Sequence, residues 1–257
     1  MKCRLLFIIL LQFCCLRMAA QDSIPQHRSY AVALGGRQFL DTYLSSEHYS
    51  GVDFAFLAER QRKSKWKNWA WLSSLNLDFA SMDNRADNNK TIELMGDYRL
   101  LLQHYWQVIP ERLWIAAGGG VGFNVGGAYN MRNQNNPAQL RVGLQLMPSV
   151  EAVYSFPVKR RDWIVRYSAA TQLVGFAFTP KYGQSYYEIS QDNAIHNFDL
   201  TTIATTPSLR QQLVLDIPVG KSFLRIGFLG NYRQSKLHKL KYHSYENSFI
   251  VGYSKYF

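Results

Sequence analysis

Residues 139–156, QLRVGLQLMPSVEAVYSF, alternate between apolar and polar side chains over an unusually long stretch. The even-numbered positions include Leu140, Leu144 and Leu146, whereas Arg141 and Glu151 occupy odd-numbered positions. Successive side chains of a β-strand point to opposite faces, so this pattern predicts a strand with one apolar and one polar face. Because strands in soluble proteins usually have about 5–6 residues, the length predicts a strand that crosses a membrane.

The same alternation recurs along the chain and predicts ten strands in all. The clearest further examples occupy residues 91–107, 209–219 and 222–233, where leucine or isoleucine alternates with arginine or a carboxylate. Weaker examples occupy residues 29–40, 50–60, 66–80, 112–128, 162–179 and 245–257. Tyr, Phe and Trp, which favour strands, are frequent, and no stretch shows a helical apolar period of useful length. The pattern therefore predicts an all-β protein.

The connections between the predicted strands fall into two classes. Even-numbered connections are mostly short, such as residues 108–111, 157–161 and 218–221. Odd-numbered connections are longer and polar, and they occupy residues 41–49, 81–90, 131–138, 179–207 and 235–244. Short turns at one rim and long loops at the other are typical of bacterial outer-membrane barrels. We therefore predict a transmembrane antiparallel up-and-down β-barrel of about ten strands, with eight or twelve as alternatives because residues 180–207 have room for another hairpin.

The polar faces of the predicted strands carry many charges, which we expect to line the lumen. A Lys or Arg that faces lipid at the midplane costs about 2–4 kcal/mol, so the apolar faces must meet lipid. The expected lumen charge network comprises Asp97, Arg99, Arg141, Glu151, Arg166, Arg210, Asp216 and Arg225. Asp53, Asp78, Glu93 and Arg112 are expected to point inward as well. About eight strands already give an interior that side chains can fill. Ten strands therefore predict a plugged or very narrow lumen, bridged by Arg–carboxylate pairs.

Pro148 interrupts the otherwise regular strand at residues 139–156. Proline has no N–H to donate to a neighbouring strand, and a closed barrel has no free edge at which that loss is harmless. We therefore predict a bulge or a local break in strand pairing at Pro148.

The first 20 residues have the order of a secretory signal peptide. Lys2 and Arg4 precede an apolar stretch from Leu5 to Cys15, and the small residues Ala19 and Ala20 follow it. We expect cleavage near Ala20, which leaves residues 21–257 as the barrel domain. The net charge then falls from +11 to +8, because the segment removes three cations and no acid.

All three cysteines lie in this signal segment. The mature chain is therefore expected to have neither disulfides nor a thiolate metal site. A lipidated Cys14 is a weaker alternative, because the preceding Phe13 is bulky where lipoprotein signals need a small residue.

The tryptophans lie near strand ends on the side of the short turns. Amphipathic rings prefer the membrane–water interface, so we predict a periplasmic aromatic girdle of Trp66, Trp69, Trp71, Trp106 and Trp163. Trp114 differs, because its position in the alternation points inward. The alternative is that these rings are core aromatics. The chain ends with Phe257 on an alternating strand, which resembles the signal for the barrel-insertion machinery, although Lys255 departs from that pattern.

Three polar segments are candidates for chemistry. Ser45, Ser46 and His48, in DTYLSSEHYSG, are weak candidates for an outer-membrane lipid hydrolase. Lys236, Lys239 and Lys241, in SKLHKLKYH, are candidates for contact with lipopolysaccharide phosphates, against the alternative of a solvated loop. The aromatic segment YGQSYYEI at residues 182–189 is expected to form a folded cap.

GGGVGFNVGG at residues 118–127 looks like a nucleotide-binding loop. It lacks the lysine and the following helix that such loops need. We therefore interpret its glycines as small residues inside a barrel, which make space for neighbouring side chains or allow curvature.

Several longer stretches resemble a family of uncharacterised Bacteroidales proteins: DTYLSSEHYSG, NQNNPAQLR, KYGQSYYEI, TTPSLRQQLVLDIPVG and LRIGFLGNYRQSKLHKLKYHSY. The resemblance covers nearly the whole mature chain and implies a Gram-negative envelope location. The family's domain has no known function, so the resemblance implies no catalytic residues.

These observations together predict a monomeric barrel in the cell outer membrane with a structural or loop-mediated binding role. A narrow small-solute channel and a lipid hydrolase are the alternatives. The expected partners are outer-membrane lipids, lipopolysaccharide and the barrel-insertion machinery, and we expect no nucleic acid, cofactor or metal.

Overall fold

The computed structural model describes residues 24–191 and 194–257, and the predicted signal peptide lies outside these residues. The described residues form twelve strands: β1 (His27–Asp41), β2 (Ser45–Lys63), β3 (Trp69–Asn84), β4 (Lys90–Ile109), β5 (Leu113–Asn130), β6 (Ala138–Val158), β7 (Arg161–Ala170), β8 (Val174–Phe178), β9 (Phe198–Thr202), β10 (Ser208–Val219), β11 (Ser222–Leu237) and β12 (Leu240–Tyr256). One short helix, α1 (Tyr186–Gln191), and a 3₁₀ turn (Ala194–Asn197) precede β9.

Ten of these strands close into one antiparallel barrel. The order around the wall is β1, β2, β3, β4, β5, β6, β7, β10, β11 and β12, and β12 pairs again with β1. Strands β8 and β9 lie outside this closed set, since β8 pairs with the upper part of β6 and β9 pairs only with β8. The predicted fold class and the number of ten wall strands are confirmed.

The two faces of the wall have the reverse polarity of a soluble protein. Leu34 and Leu94 point outward and are each 61% exposed, whereas the carboxylates Asp53, Asp78 and Glu93 point inward and are fully buried. Soluble chains almost never bury unpaired acids or expose a continuous apolar surface. The orientation predicted for β6 is also confirmed, because Leu144 is exposed and Glu151 is buried.

The barrel has two structurally different rims. The lower rim carries the turns at residues 64–68, 110–112, 159–160 and 220–221. The upper rim carries the connections at residues 42–44, 85–89, 131–137 and 238–239, and the long segment at residues 171–207.

The prediction of long loops at every upper connection is wrong in two places. Residues 41–49 and 235–244 were expected to be loops, but the strands continue through them and leave connections of only three and two residues. His238 and Lys239 have φ values of 48° and 69°, which matches the two-residue turns that keep twisted hairpins paired. Backbone pairing needs no apolar face, so the hairpins extend beyond the alternating region.

The irregularity predicted at Pro148 is confirmed. Ser149 pairs with Ala170 on β7, and Leu146 pairs with Val174 on β8, so two residues of β6 face three residues of the neighbouring chain. The Thr171 amide still donates to the Pro148 carbonyl at 3.3 Å. The missing proline N–H therefore coincides with a bulge that separates β7 from β8.

Candidate functional site in the barrel interior

The interior is organised around Arg37 of β1, a fully buried arginine that meets four carboxylates. Its Nη2 lies 2.7 Å from Asp53, 2.7 Å from Asp78 and 3.3 Å from Glu246, and its Nη1 donates to Glu93. These acids belong to β2, β3, β12 and β4. We call Arg37, Asp53, Asp78, Glu93 and Glu246 the Arg37 hub, and it links five strands across the lumen.

Other interior side chains form ion pairs or hydrogen bonds with the carboxylates of the hub. Arg233 of β11 lies 3.3 Å from Asp78 and 3.5 Å from Asp97. The hydrogen bonds to the hub acids are 2.9–3.4 Å long, and their donors are Asn76, Asn231, Tyr242, Ser244 and Ser248. The hub is therefore a connected network of ion pairs and hydrogen bonds, in which the Nε of Arg37 is buried without a hydrogen-bond partner.

A second network fills the lower part of the lumen. Arg225 makes a two-pronged contact with Asp216, in which both N···O distances are 2.8 Å, and its Nη1 donates to Glu59 at 3.0 Å. Arg166 donates to Glu151. Two-pronged arginine–carboxylate pairs are the strong form of this interaction.

Apolar side chains close the interior below these charges. Ile24, at the beginning of the described chain, packs against Ala70, Tyr105 and Ala116, and Trp114 lies against the same cluster. The inward direction predicted for Trp114 is thus confirmed.

The upper end of the lumen is covered by a folded cap. Tyr43 and Leu44, from the first upper turn, are buried in a cluster against which Tyr186 of α1 packs. The Tyr43 hydroxyl donates to the Gln184 carbonyl at 2.8 Å, and the Asn133 amide donates to the Leu44 carbonyl at 2.8 Å. Burial raises the pKa of both Tyr43 and Tyr186, so both phenols stay protonated. The folded cap expected at residues 182–189 is present.

Below the cap, Arg141 binds Asp41 at 2.5 Å and lies over the ring of Tyr242, 3.3 Å from its centroid. A guanidinium stacked on an aromatic face gains a cation–π attraction as well as the ion pair. This contact connects the cap to the charges beneath it.

Most members of the predicted charge network lie in ion pairs. Arg141, Glu151, Arg166, Asp216 and Arg225 all lie in ion pairs, and Asp97 pairs with Arg233. Arg99 and Arg210 also point inward and are buried. Arg112 was wrongly expected in the lumen, since it lies exposed in the turn between β4 and β5.

The sequence reasoning missed Arg37 and Glu246. Both lie on strands whose alternation is weak, and Gly35 and Gly36 precede the arginine. The signal that identifies them is their register, because Arg37 and Glu246 stand directly opposite each other on β1 and β12.

Five of the six tryptophans lie at the lower rim on the outer face: Trp66, Trp69, Trp71, Trp106 and Trp163. Trp66 is 58% exposed and packs edge-on against Trp69. Their contact with a membrane interface stays a prediction.

Two groups of cations also lie on the outer face. At the lower rim, Arg28 stands directly opposite both Lys255 and Arg60. At the upper rim, Lys236 stands directly opposite Lys241. Like charges in directly opposed positions destabilise a sheet, so a bound anion would stabilise either group.

The weak hydrolase candidates lie beside the upper rim, and their role stays a prediction. Ser46 and His48 are exposed beside the upper rim, and the Ser45 hydroxyl accepts a hydrogen bond from the Glu47 amide at 3.2 Å. Within residues 24–191 and 194–257, His48 makes no hydrogen bond with either serine.

The described residues contain neither a metal-binding cluster nor a helix that could span a membrane. No group of three or more His, Cys, Asp or Glu side chains is placed to hold a metal ion. No helix in the same residues is long and apolar enough to cross a membrane.

Comparison with known proteins gives solved structures of low similarity and one family. Ail, the attachment invasion locus protein of Yersinia pestis, is 8% identical over 90% of this chain and 99% of its own, with a TM-score of 0.35. The β domain of the Bordetella autotransporter BrkA is 12% identical over 91% of this chain and 100% of its own, with a TM-score of 0.43. At these scores the fold assignment rests on the strand pairing described above. A search of curated proteins finds no match.

The sequence profile of one family, described as "Protein of unknown function (DUF3316)", matches residues 4–257. The family carries no described activity, and the Bacteroidales origin stays a prediction. Because the match covers nearly the whole sequence, this chain belongs to the DUF3316 family.

Proposed function

We propose that this protein is an integral outer-membrane β-barrel with a closed, charge-lined lumen that presents its upper rim to the cell surface. The Arg37 hub carries this proposal, because it joins five wall strands through buried charges while leucines cover the outside. A chain that places its charges inside and its apolar residues outside needs lipid around it.

The spacing of the outer cations supports a membrane-spanning position. Fourteen residues separate Lys241 at the upper rim from Lys255 at the lower rim of β12. At a rise of about 3.4 Å and a tilt of about 45°, this corresponds to about 34 Å along the membrane normal. The hydrocarbon core of a bilayer is about 30 Å thick. Both cation groups then lie at the level of lipid headgroups.

The upper cations support a contact with lipopolysaccharide. Lys236 and Lys241 are opposed like charges on the outer face, and Lys239 lies in the turn between them. Phosphate groups at this level relieve the repulsion between the lysines. By the same argument, phospholipid headgroups contact Arg28, Arg60 and Lys255 at the lower rim, beside the exposed tryptophans.

The closed lumen is tested by planar-bilayer recording. The purified protein is expected to insert without producing steady conductance steps, because the hub and the lower apolar cluster both block the path. A porin recorded in the same bilayers serves as the positive control. A large and steady conductance would overturn the closed lumen and support the narrow-channel alternative.

The membrane orientation of β6 gives an independent prediction. Leu144→Arg is expected to impair insertion by about 2–4 kcal/mol, because it places a cation in the apolar band. Gln145→Leu, one residue further on and facing inward, is expected to insert normally. Folding into phospholipid vesicles, followed by heat-modifiable migration on gels, compares the two variants. Normal insertion of Leu144→Arg together with failed insertion of Gln145→Leu would reverse the proposed faces.

A further inference from the structure

A cavity of about 110 Å³ lies inside the upper half of the barrel. Four arginines from four strands line it: Arg99 (β4), Arg141 (β6), Arg210 (β10) and Arg233 (β11). Asp97 is the one carboxylate among its lining residues. The cavity is therefore strongly cationic, in contrast to the acid-rich hub beside it.

Two of these arginines, Arg99 and Arg210, form no ion pair with the nearby carboxylates Asp97 and Glu59. Among the described residues, five inward arginines form ion pairs with carboxylates: Arg37, Arg141, Arg166, Arg225 and Arg233. Arg99 and Arg210 form none, although each is only 8% exposed. The Nε of Arg99 and the Nη1 of Arg210 are buried without a hydrogen-bond partner. Burying an unpaired charge costs free energy, so a bound anion would stabilise these two guanidinium groups.

The paired arginines of the cavity also keep free donors. The Nε and Nη1 of Arg233 and the Nε of Arg141 are buried without hydrogen bonds, although both side chains hold carboxylates at their other edges. The planar guanidinium fork presents several donors in a geometry that matches phosphate oxygens. Four such forks around one cavity supply more donors than Asp97 can use.

The position of the cavity favours entry of a ligand from the upper side, between β9 and β11 and not through the cap. The lining of the cavity reaches from Arg99 and Arg210 up to Thr179 and Leu237, near the upper rim. In this part of the wall, β9 pairs with β8 and not with β11. The adjoining chain is held by two backbone bonds, from Gln234 to Pro207 at 3.0 Å and from Lys236 to Thr205 at 2.9 Å. The lower lumen is closed by the apolar cluster around Tyr105.

We propose that this cavity is a binding site for a phosphate-class oxyanion that enters from the upper rim. Arg99 and Arg210 supply the charge, and the free edges of Arg141 and Arg233 orient the oxygens. The bound group is either free phosphate or the phosphate of a larger solute or lipid headgroup. The site does not depend on conductance, so it is tested separately from the closed lumen.

The experiment is equilibrium dialysis of the full-length mature protein in detergent against radiolabelled inorganic phosphate at low ionic strength. We expect about one phosphate per chain for the wild type. The double variant Arg99→Gln, Arg210→Gln is expected to bind at least about tenfold more weakly, since a charge-assisted pair is worth roughly 1.5–3 kcal/mol and 1.4 kcal/mol is a factor of ten. Arg112→Gln, which removes an exposed cation from the turn between β4 and β5, is the matched control and is expected to bind phosphate as the wild type does.

Two further measurements make the result decisive. Without phosphate, the unfolding midpoint of the double variant is expected to be unchanged or raised, because two unpaired charges are removed. Addition of phosphate is expected to raise the unfolding midpoint only in the wild type and in Arg112→Gln. Competition with mixed micelles of phosphatidylglycerol distinguishes the source: displacement of labelled phosphate indicates a lipid headgroup, and no displacement indicates a free solute. Absence of phosphate binding by the wild type, or equal binding by the folded double variant, overturns the proposal.

Discussion

Replacing Arg37 with leucine is expected to destabilise the barrel by about 3–5 kcal/mol. The substitution removes one partner of a buried ionic network and leaves the carboxylates of Asp53, Glu93 and Glu246 close together without their shared cation. Asp78 keeps its contact with Arg233. Equilibrium unfolding by urea in phospholipid vesicles, followed by tryptophan fluorescence, measures the loss.

Two controls separate the charge from the packing of this side chain. Arg37→Lys keeps a cation but loses the fork that contacts several acids at once, so an intermediate loss is expected. Adding Glu246→Gln to Arg37→Leu is expected to recover part of the stability, because it removes one of the uncompensated acids. Unchanged stability of Arg37→Leu, or a further loss in the double variant, would contradict an ionic role for the hub.

The hub also shows what the sequence makes predictable. Alternation is a local property, so it correctly assigned Asp53, Asp78 and Glu93 to the lumen before any contact was known. Whether these three carboxylates meet depends on the register between neighbouring strands, and register is set by residues that are far apart in the sequence. Gly51 stands opposite Arg37, and Ala80 stands opposite both Asp53 and Glu93, so small residues leave space for the charged side chains between them. No one of these strands carries that information alone.

Strand ends were predicted less well than strand faces, and for a physical reason. Residues 41–49 carry polar side chains on both faces and read as a loop, yet β2 begins at Ser45 because its backbone still pairs with β1. The division between β7 and β8 was foreseeable only from the partner strand, through Pro148. The unpaired state of Arg99 and Arg210 could not be foreseen, since it depends on which acids of distant strands fail to reach them.

The glycine-rich stretch of β5 has a structural role that the sequence interpretation only partly described. Glycines were expected inside the barrel, where they make space or allow curvature. Gly120 faces Leu101 across the β4–β5 ladder. A Cβ at this position would lie 2.0 Å from the Leu100 carbonyl oxygen and 2.8 Å from the Leu101 Cα. The glycine therefore allows the backbones of two neighbouring strands to approach closely.

Gly120→Ala is consequently expected to be among the most damaging single-methyl changes in the barrel. Overpacking usually costs about 1–3 kcal/mol and sometimes more, and here the clash is with backbone atoms that cannot move without breaking the ladder. Gly36→Ala is the matched control, because its added Cβ would meet only the Gly51 oxygen, at an ordinary 3.7 Å. The folded fraction after insertion into vesicles and the urea midpoint are measured for both variants. We expect Gly36→Ala to behave as the wild type and Gly120→Ala to lose at least about 3 kcal/mol, the upper end of that range. Equal stability of the two would mean that β4 and β5 do not approach as closely as described, and that Gly120 serves a purpose other than close approach of the two backbones.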